Sequence, residues 1–596
     1  MTKFLGEIVD KLSQIMSNPT IAGYILELLC IIGSQPALYA NFTDDNYRRI
    51  FHVPLQYITL HNRPDSHAGP AGKESYALTQ HVLILAYYQI YIWFLALKLQ
   101  DRPKHMPYIT RHLLLANEHY AQVDEPTEVC FDWLARFTYA NAEPKPRMSS
   151  LRESVLNPSG SNGDGVVSSK SWVFGNSIIT IQALRYSGWL GIECRRPSGL
   201  STFLCKMENV AALGLGEQIT GEIVGAVTGA MSREQSSNSE PGTVQVSKLK
   251  IVSDRELEDA DLVQSSPNEG QTSNEGMPQN TTPSGILSPS GVPGPKEMEL
   301  DPSYFALQLS PYPDVRRASL RGRLIPNDDL LNRTLRGLDR VPVMDLHTVG
   351  ILYVGPGQTD EREILGNRAG SPAYTQFLDN LGRLIRLKDQ RDLYTGGLDS
   401  HYDGDGQYAY AWWDVIGQIL YHTATLMPNR EGDEQFAFKK LHIGNDYVRI
   451  VWNDSGKPYR FDTLATQFQY VNIVVQPHSL GTMAAYTSTE HQDEFFKVLL
   501  QRAPGMPEFG MIGEFKIVSA RCLPNVIRQV SMLADFFAQI YVHTQHDTVR
   551  EEYITPWRQR LRQIRMFKSR LPPIPTEEHV DGILGQELAR DFSRSY

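Results

Sequence analysis

Apolar residues in the first part of the chain recur at three- and four-residue spacing. Ile21, Tyr24, Ile25, Leu28, Leu29 and Ile32 line up on one helical face, the stripe that a half-buried helix requires. Tyr108 to Ala116 and Glu128 to Tyr139 keep that period, with Val129, Trp133, Leu134 and Phe137 inward. No strand pattern separates these segments, so residues 1–142 are predicted as an all-α, solenoid-like region or an irregular bundle. Helices of this density carry more apolar face than one layer can bury, which predicts self-association as a homodimer through this region.

Beyond Glu143 the pattern changes three times. A Pro-, Ser-, Gly- and Asn-rich loop leads into two runs of β-branched and aromatic residues, Ser171 to Ile181 and Gly191 to Cys205. They predict a small β element within 143–230. From 231 to 300 Ser, Pro, Gly, Asn, Gln and acidic residues dominate. Such a stretch buries too little apolar surface to offset its ordering entropy, and predicts a disordered linker between two independently folding regions. Over 301–570 strands and helices alternate. Thr348 to Val354, Leu384 to Leu387, Tyr408 to Trp413, Val448 to Trp452, Tyr470 to Gln476 and Glu514 to Val518 are strand candidates. Pro524 to Tyr541 is an amphipathic helix with Val526, Val530, Leu533, Phe537 and Ile540 on one face. This alternation predicts an α/β domain with a central sheet flanked by helices, strand order left open. A tail follows over 571–596. The chain is therefore expected to be multidomain.

Composition narrows the function classes. A formal charge of -10 and a pI near 5.9 argue against a nucleic-acid partner, which calls for a basic field. The five cysteines, Cys30, Cys130, Cys194, Cys205 and Cys522, show no CxxC or zinc spacing and read as reduced thiols of an intracellular protein. Glu7 and Asp10 interrupt the apolar N-terminus, which suits an amphipathic helix and not a signal peptide. Val82 to Leu97 is strongly apolar but carries Gln89, and falls short of the roughly 18–20 uninterrupted residues that span a bilayer. It reads as a helix buried in the array, with membrane contact as the alternative.

Several chemical motifs fail. Gly355-Pro356-Gly357 follows a strand but has neither GxGxxG spacing nor a phosphate-loop Lys. Asp399, Asp403 and Asp405 lack the EF-hand spacing and its closing Glu, which leaves a Gly-rich turn. No GxSxG, HExxH or CxxC occurs, so no metal site or cofactor of the chain's own is expected. Arg316-Arg317-Ala318-Ser319-Leu320 has the form of a basophilic kinase site or, equally, of an exposed basic loop.

One segment stands apart: Lys439-Lys440-Leu441-His442-Ile443-Gly444-Asn445-Asp446, leading into a strand. A helix from about Glu434 to Ile443 is predicted to stop at Gly444, a residue able to take the left-handed stop conformation. That places Asn445 at a sharp helix-to-strand junction, where a polar side chain projects; by itself a Gly-Asn-Asp turn is more often structural. The string KKLHIGNDYVRIVWNDSG resembles the HIGND signature of the Rap/tuberin family of GTPase-activating domains. The resemblance extends through ILYVGPGQTDEREIL, YTQFLDNLGRLIRLKD, DGQYAYAWWD and YHTATLMP to FQYVNIVVQP, and upstream to EVCFDWLARFTYAN and KSWVFGNSIITI.

It implies a GTPase-activating domain over 301–570, with Asn445 as an asparagine thumb inserted into the nucleotide site of a small GTPase. By the tuberin-type resemblance that GTPase is Rheb in its GTP form, within target-of-rapamycin signalling, and Ral or Rap is the lesser alternative. Lys439, Lys440, His442, Gly444 and Asp446 would support the thumb or touch the GTPase. The lysines read equally as solvated helix charges. Hamartin is an implied partner, through a region outside this sequence. The implied location is cytoplasmic, peripheral at a lysosomal or vacuolar membrane. Arg558, Arg560, Arg562, Arg565, Lys568 and Arg570 form a basic face opposite Trp557, Leu561, Ile564 and Phe567; it is a solvated face, or a landing surface for the GTPase or an anionic membrane, with Arg562 the candidate contact. The rival reading is an assembly scaffold with an idle domain.

Overall fold

The computed structural model describes residues 4–13, 19–63, 73–120, 122–141, 166–184, 189–206, 302–309, 322–478, 495–545 and 552–571. The predicted linker at 231–300 and the Arg316–Leu320 motif lie outside them. Two compact units emerge: Met1–Pro144, Pro197–Gly199 and Asp339–Arg562 form one, and Lys145–Arg196, Leu200–Leu338 and Gln563–Tyr596 the other. The chain thus divides along other lines than the expected 1–142 and 301–570 segments, because the N-terminal helices and the larger sheet share a unit.

The first unit opens with helices α1 (Leu5–Ser13), α2 (Pro19–Gly33), α3 (Pro36–Tyr39), α4 (Asp44–His61), α5 (Lys73–Ala96), α6 (Arg102–Leu115) and α7 (Glu125–Phe137). Local chemistry sets their starts. Thr43 and Asn46 exchange hydrogen bonds in a capping box before α4, and the Asp124 carboxylate accepts from the Thr127 N–H at 2.9 Å before α7. On α2, Ile25, Leu29 and Ile32 are buried as expected, whereas Ile21, Tyr24 and Leu28 are exposed. The buried stripe runs instead through Ala22 and Leu26. Residues Tyr76–Ala96 of α5 are long and apolar enough to cross a membrane, yet 72% of that window is buried within the fold.

The same unit holds an eight-stranded sheet ordered β13-β12-β11-β10-β6-β9-β8-β7. Its strands are β6 (Asp345–Val354), β7 (Arg383–Arg386), β8 (Tyr408–Trp413), β9 (Gly417–Thr423), β10 (Val448–Asn453), β11 (Val471–His478), β12 (Phe495–Arg502) and β13 (Lys516–Ser519). The central four are parallel, with Val448 in register with Val349 on one side and Val471 on the other. β9 and β10 are buried along their whole length, as a parallel sheet covered on both faces requires. Strands β9 and β12 escaped the sequence pattern.

Helix α13 (Leu523–Gln545) explains why helices and sheet form one body. Ile527, Val530, Ala534, Phe537 and Tyr541 join the core under the sheet, while Leu533, Phe536 and Ile540 join the core of the N-terminal helices. The His81 ring of α5 lies 5.5 Å from Phe536 and 4.7 Å from Phe537. Tyr91 meets Trp557 edge-on at 5.5 Å. Much of the apolar face that predicted self-association is therefore covered within the chain.

The second unit is built on a smaller sheet ordered β4-β3-β2-β1-β5, from β1 (Val166–Phe174), β2 (Ser177–Leu184), β3 (Trp189–Arg196), β4 (Gly199–Lys206) and β5 (Arg323–Ile325). β1 and β2 form a hairpin whose turn carries Gly175 at φ 54. One core contains Trp172, Ile181, Leu190 and Ile192 with Ala306 of α8 (Pro302–Leu309). The other contains Val173, Ile178 and Ile325 with Leu331 and Leu338 of α9 (Asp329–Arg340), and with Ile564 and Phe567.

Candidate functional site

Asn445 follows helix α12 (Ala437–Ile443) at the mouth of β10. The helix starts later than predicted because Phe436 sits in the left-handed region at φ 52. The Asp433 carboxylate then caps the first turn, accepting from Ala437 N at 2.8 Å and Phe438 N at 3.1 Å. Gly444 departs from the expected stop conformation: its φ of -69 and ψ of -23 are right-handed. Glycine is needed there for space, since an added Cβ would stand 2.4 Å from the Lys440 carbonyl.

Neither lysine is free, and Lys439 is buried while Lys440 is partly exposed. Lys439 is 2% exposed, and its ammonium donates to the Leu365 carbonyl at 2.9 Å. Burial, aided by Arg368, pushes it down to about 8. Lys440 pairs with Glu361 of α10 (Glu361–Gly366) at 2.5 Å. Both thus fasten α12 to neighbouring backbone and helix.

At the other end of α12, Arg449 of β10 reaches back while fully buried. Its Nε donates to the Ile443 carbonyl at 3.2 Å, one terminal nitrogen to the Leu464 carbonyl at 2.6 Å, and the other to the Thr466 hydroxyl. Asp446, 2% exposed, faces Nδ1 of His422 in β9 at 2.8 Å, and Nε2 of His422 lies 3.1 Å from the Gly396 carbonyl. His442 stands 3.1 Å from Asp405; burial lowers its pKa, against the pull of that carboxylate.

The Asp-rich loop dismissed as a turn has a second role. Asp399 accepts from the backbone N–H of His401 and Gly404, each at 2.9 Å, and these bonds hold its carboxyl below the usual range. The turn so fixed presents Asp405 to both Arg430, at 3.2 Å, and His442. Among the described residues no group of three or more His, Cys, Asp or Glu is arranged to hold a metal.

Within this frame Asn445 is exposed. Its Nδ2 donates back to the Leu441 carbonyl at 2.8 Å and its backbone N–H to the His442 carbonyl at 3.0 Å. Its amide oxygen has no partner among the described residues. Phe438, 46% exposed, and Leu441, 59% exposed, flank it on the outer side of the helix. The Arg430 guanidinium lies 3.7 Å above the Phe438 ring. The arrangement is one exposed carboxamide with an unpaired oxygen on a short helix pinned at both ends, which suits a group presented to another molecule.

Arg562 is not part of this cluster. It lies on α14 (Pro556–Arg570) and pairs with Glu125 of α7 at 2.7 Å. The predicted basic face is also narrower than expected, because Arg558 and Arg560 are 6% and 1% exposed. Arg558 forks between Glu552 at 2.7 Å and Glu125 at 2.9 Å, and Arg560 donates to the Val341 carbonyl at 3.1 Å. Trp557 and Leu561 are buried as predicted. Asp405, His422 and Arg449 are positioning residues that sequence reasoning missed; the DGDG turn was the one visible signal.

Residues 364–566 match the Rap/ran-GAP family, and residues 1–100 match the family described as Tuberin. A tuberous sclerosis 2 protein homolog of Schizosaccharomyces pombe is 31% identical over 588 residues, which are 97% of this chain and 37% of that protein. A Ral GTPase-activating protein subunit alpha-2 of Mus musculus is 29% identical over 252 residues, 42% of this chain and 12% of that protein. The solved structure of the TSC2 GAP domain is 44% identical and covers 33% of this chain and 99% of that one, at a TM-score of 0.31. The chain spans little more than a third of the S. pombe relative's length.

Proposed function

We propose that this chain, whose residues 364–566 match the Rap/ran-GAP family and residues 1–100 the Tuberin family, is a tuberin-type GTPase-activating protein for a small Ras-like GTPase. By family the GTPase is Rheb, and its inactivation lowers target-of-rapamycin signalling. Phosphoryl transfer to water needs an oriented nucleophile and stabilisation of developing charge, and a group supplied in trans is worth about 10³–10⁵ in rate. A carboxamide accepts and donates at once, so Asn445 orients the attacking water through its oxygen while its amide donates to phosphate. The observation that carries this reading is the exposure of Asn445 on a helix whose lysines, Gly444, Asp446 and Arg449 are all tied inward. Magnesium and GTP belong to the partner.

The test is single-turnover GTP hydrolysis by purified Rheb, Ral and Rap, each with and without the chain. Stimulation of Rheb above the others supports the proposal. Stimulation of Ral or Rap instead redirects the specificity, and stimulation of none leaves the scaffold reading. Self-association belongs to the same proposal: Ile21, Tyr24 and Leu28 leave an apolar strip on the outer side of α2, which a second copy would cover. Hamartin as partner, and a cytoplasmic site of action at lysosomal or vacuolar membranes, are proposed from the family resemblance alone.

A further inference from the structure

A cavity of about 330 Å³ lies in the first unit between the N-terminal helices and the sheet, within the size range of small-molecule sites. Leu85 and Ile92 of α5 line one wall, Met532 and Phe536 of α13 the other. The polar end is built differently. Asp345, at the start of β6, is 3% exposed and accepts from the Tyr88 hydroxyl. Asp414, in the β8–β9 turn, accepts from the N–H groups of Ile416 and Gly417 through Oδ1, each at 2.8 Å; its Oδ2 has no partner among the described residues. Gln529 is 8% exposed, and its carboxamide has no hydrogen-bond partner among the described residues either. Asp414 is exposed and Gln529 and Asp345 are buried, so free acceptors run from the rim of the cavity into its polar end. No Lys or Arg lines the cavity, and its one imidazole, His347, is engaged by Asp535 at 2.8 Å.

We propose that this cavity binds a small amphipathic organic cation, a primary amine with an aromatic or branched aliphatic body. An ammonium has three donors and no acceptor, and the polar end offers acceptors on Asp345, Asp414 and Gln529. The apolar walls take the body, and aromatic rings among them favour a nearby cation. The dispersed carboxylates do not form a metal site.

Charge sets the pH behaviour. Burial raises the Asp345 carboxyl to about 7; His347 opposes this, and Asp414 and Asp535 reinforce it. Tyr88 and Tyr553 lie nearby, and Cys30 and Tyr39, both raised by burial, line the cavity as well. An ammonium beside Asp345 favours its ionised form, so binding weakens as pH falls below 7.

The test is calorimetric titration of the full chain at pH 8 with tryptamine, and with tryptophol as its neutral isostere. Tryptamine is expected to bind saturably with a Kd below about 1 mM, and tryptophol at least about tenfold more weakly. Asp414→Asn, in the turn at the rim, should weaken tryptamine about tenfold without lowering the unfolding temperature, and Gln529→Met should act in the same direction. Equal binding of the two probes, no saturable tryptamine heat, or wild-type affinity in Asp414→Asn would each overturn the proposal. None of these readouts depends on GTPase stimulation.

Discussion

Asp405 and His442 stand 3.1 Å apart, and through this contact a glycine-rich loop holds the helix that ends at Asn445. Asp399 shapes the loop with its backbone hydrogen bonds, Asp405 passes the constraint to His442, and Arg430 clamps the other oxygen. The exposed carboxamide thus owes its position to residues on a separate turn.

Asn445→Ala is expected to remove most of the stimulation, about 10²–10³ in single-turnover rate, with the unfolding temperature and GTPase affinity nearly unchanged. An exposed side chain contributes little to the core, and the one bond lost is to the Leu441 carbonyl. Stimulation kept within a factor of about three, or loss of activity that tracks unfolding, would return Asn445 to a plain turn residue.

Asp405→Asn keeps the loop's shape and removes its charge. A small displacement of a catalytic group is costly in rate, so the saturated rate should drop about fivefold to tenfold. The half-saturating GTPase concentration should change less than about twofold. Titrating the GTPase separates the two terms. A shift in half-saturation with the saturated rate intact would make Asp405 a docking residue.

The buried Asp345 carboxyl, raised to about 7 in the fold, starts near 3.9 in the unfolded chain. Between these values the folded state holds a proton that the unfolded state has lost. Stability therefore falls as pH rises from about 4 to 7, and is level above. Asp345→Asn removes this slope, so its stability relative to wild type should grow between pH 5 and pH 8, by at most about 3 kcal/mol. Denaturant midpoints at the two pH values measure the difference; a gap that does not vary with pH would show the carboxyl to be ionised throughout.

Arg558 and Arg562 share Glu125 but not its surroundings. Removing the buried Arg558 leaves Glu552 without its partner and Glu125 with Arg562 alone, and Arg558→Met is expected to cost about 3 kcal/mol. Arg562 is 42% exposed, and Arg562→Ala should cost about 1 kcal/mol or less, shrinking further with added salt. Thermal melts at two ionic strengths decide it. Equal losses would mean that burial is not what separates them.

Much of the larger sheet was legible because β6, β8, β10 and β11 are apolar runs bounded by turns. β9 was not, since its buried face carries Gln418 and His422 among the apolar residues; those polar side chains are satisfied by Tyr394 and Asp446, partners that no local pattern reveals. Periodicity on α2 found the helix but put Ile21, Tyr24 and Leu28 inside, because a mostly apolar helix does not announce which side meets its neighbours. At the site, the family signature located Asn445. The supports were hidden because Asp405, His422 and Arg449 meet α12 only in space, and Lys439 and Lys440 carry charges that periodicity assigns to solvent.

The two-sided cladding of α13 also has a consequence in time. Glu27, on α2, accepts from the Gly510 N–H at 3.2 Å across 483 residues of sequence. Chains grow at about 5–20 residues per second, so the N-terminal helices leave the ribosome roughly 25–100 s before the segment that covers them. During that interval the side of α5 that meets Phe536 and Phe537 has no native partner. The nascent protein thus carries an uncovered apolar face through much of its synthesis, and slowing translation in its second half lengthens that exposure.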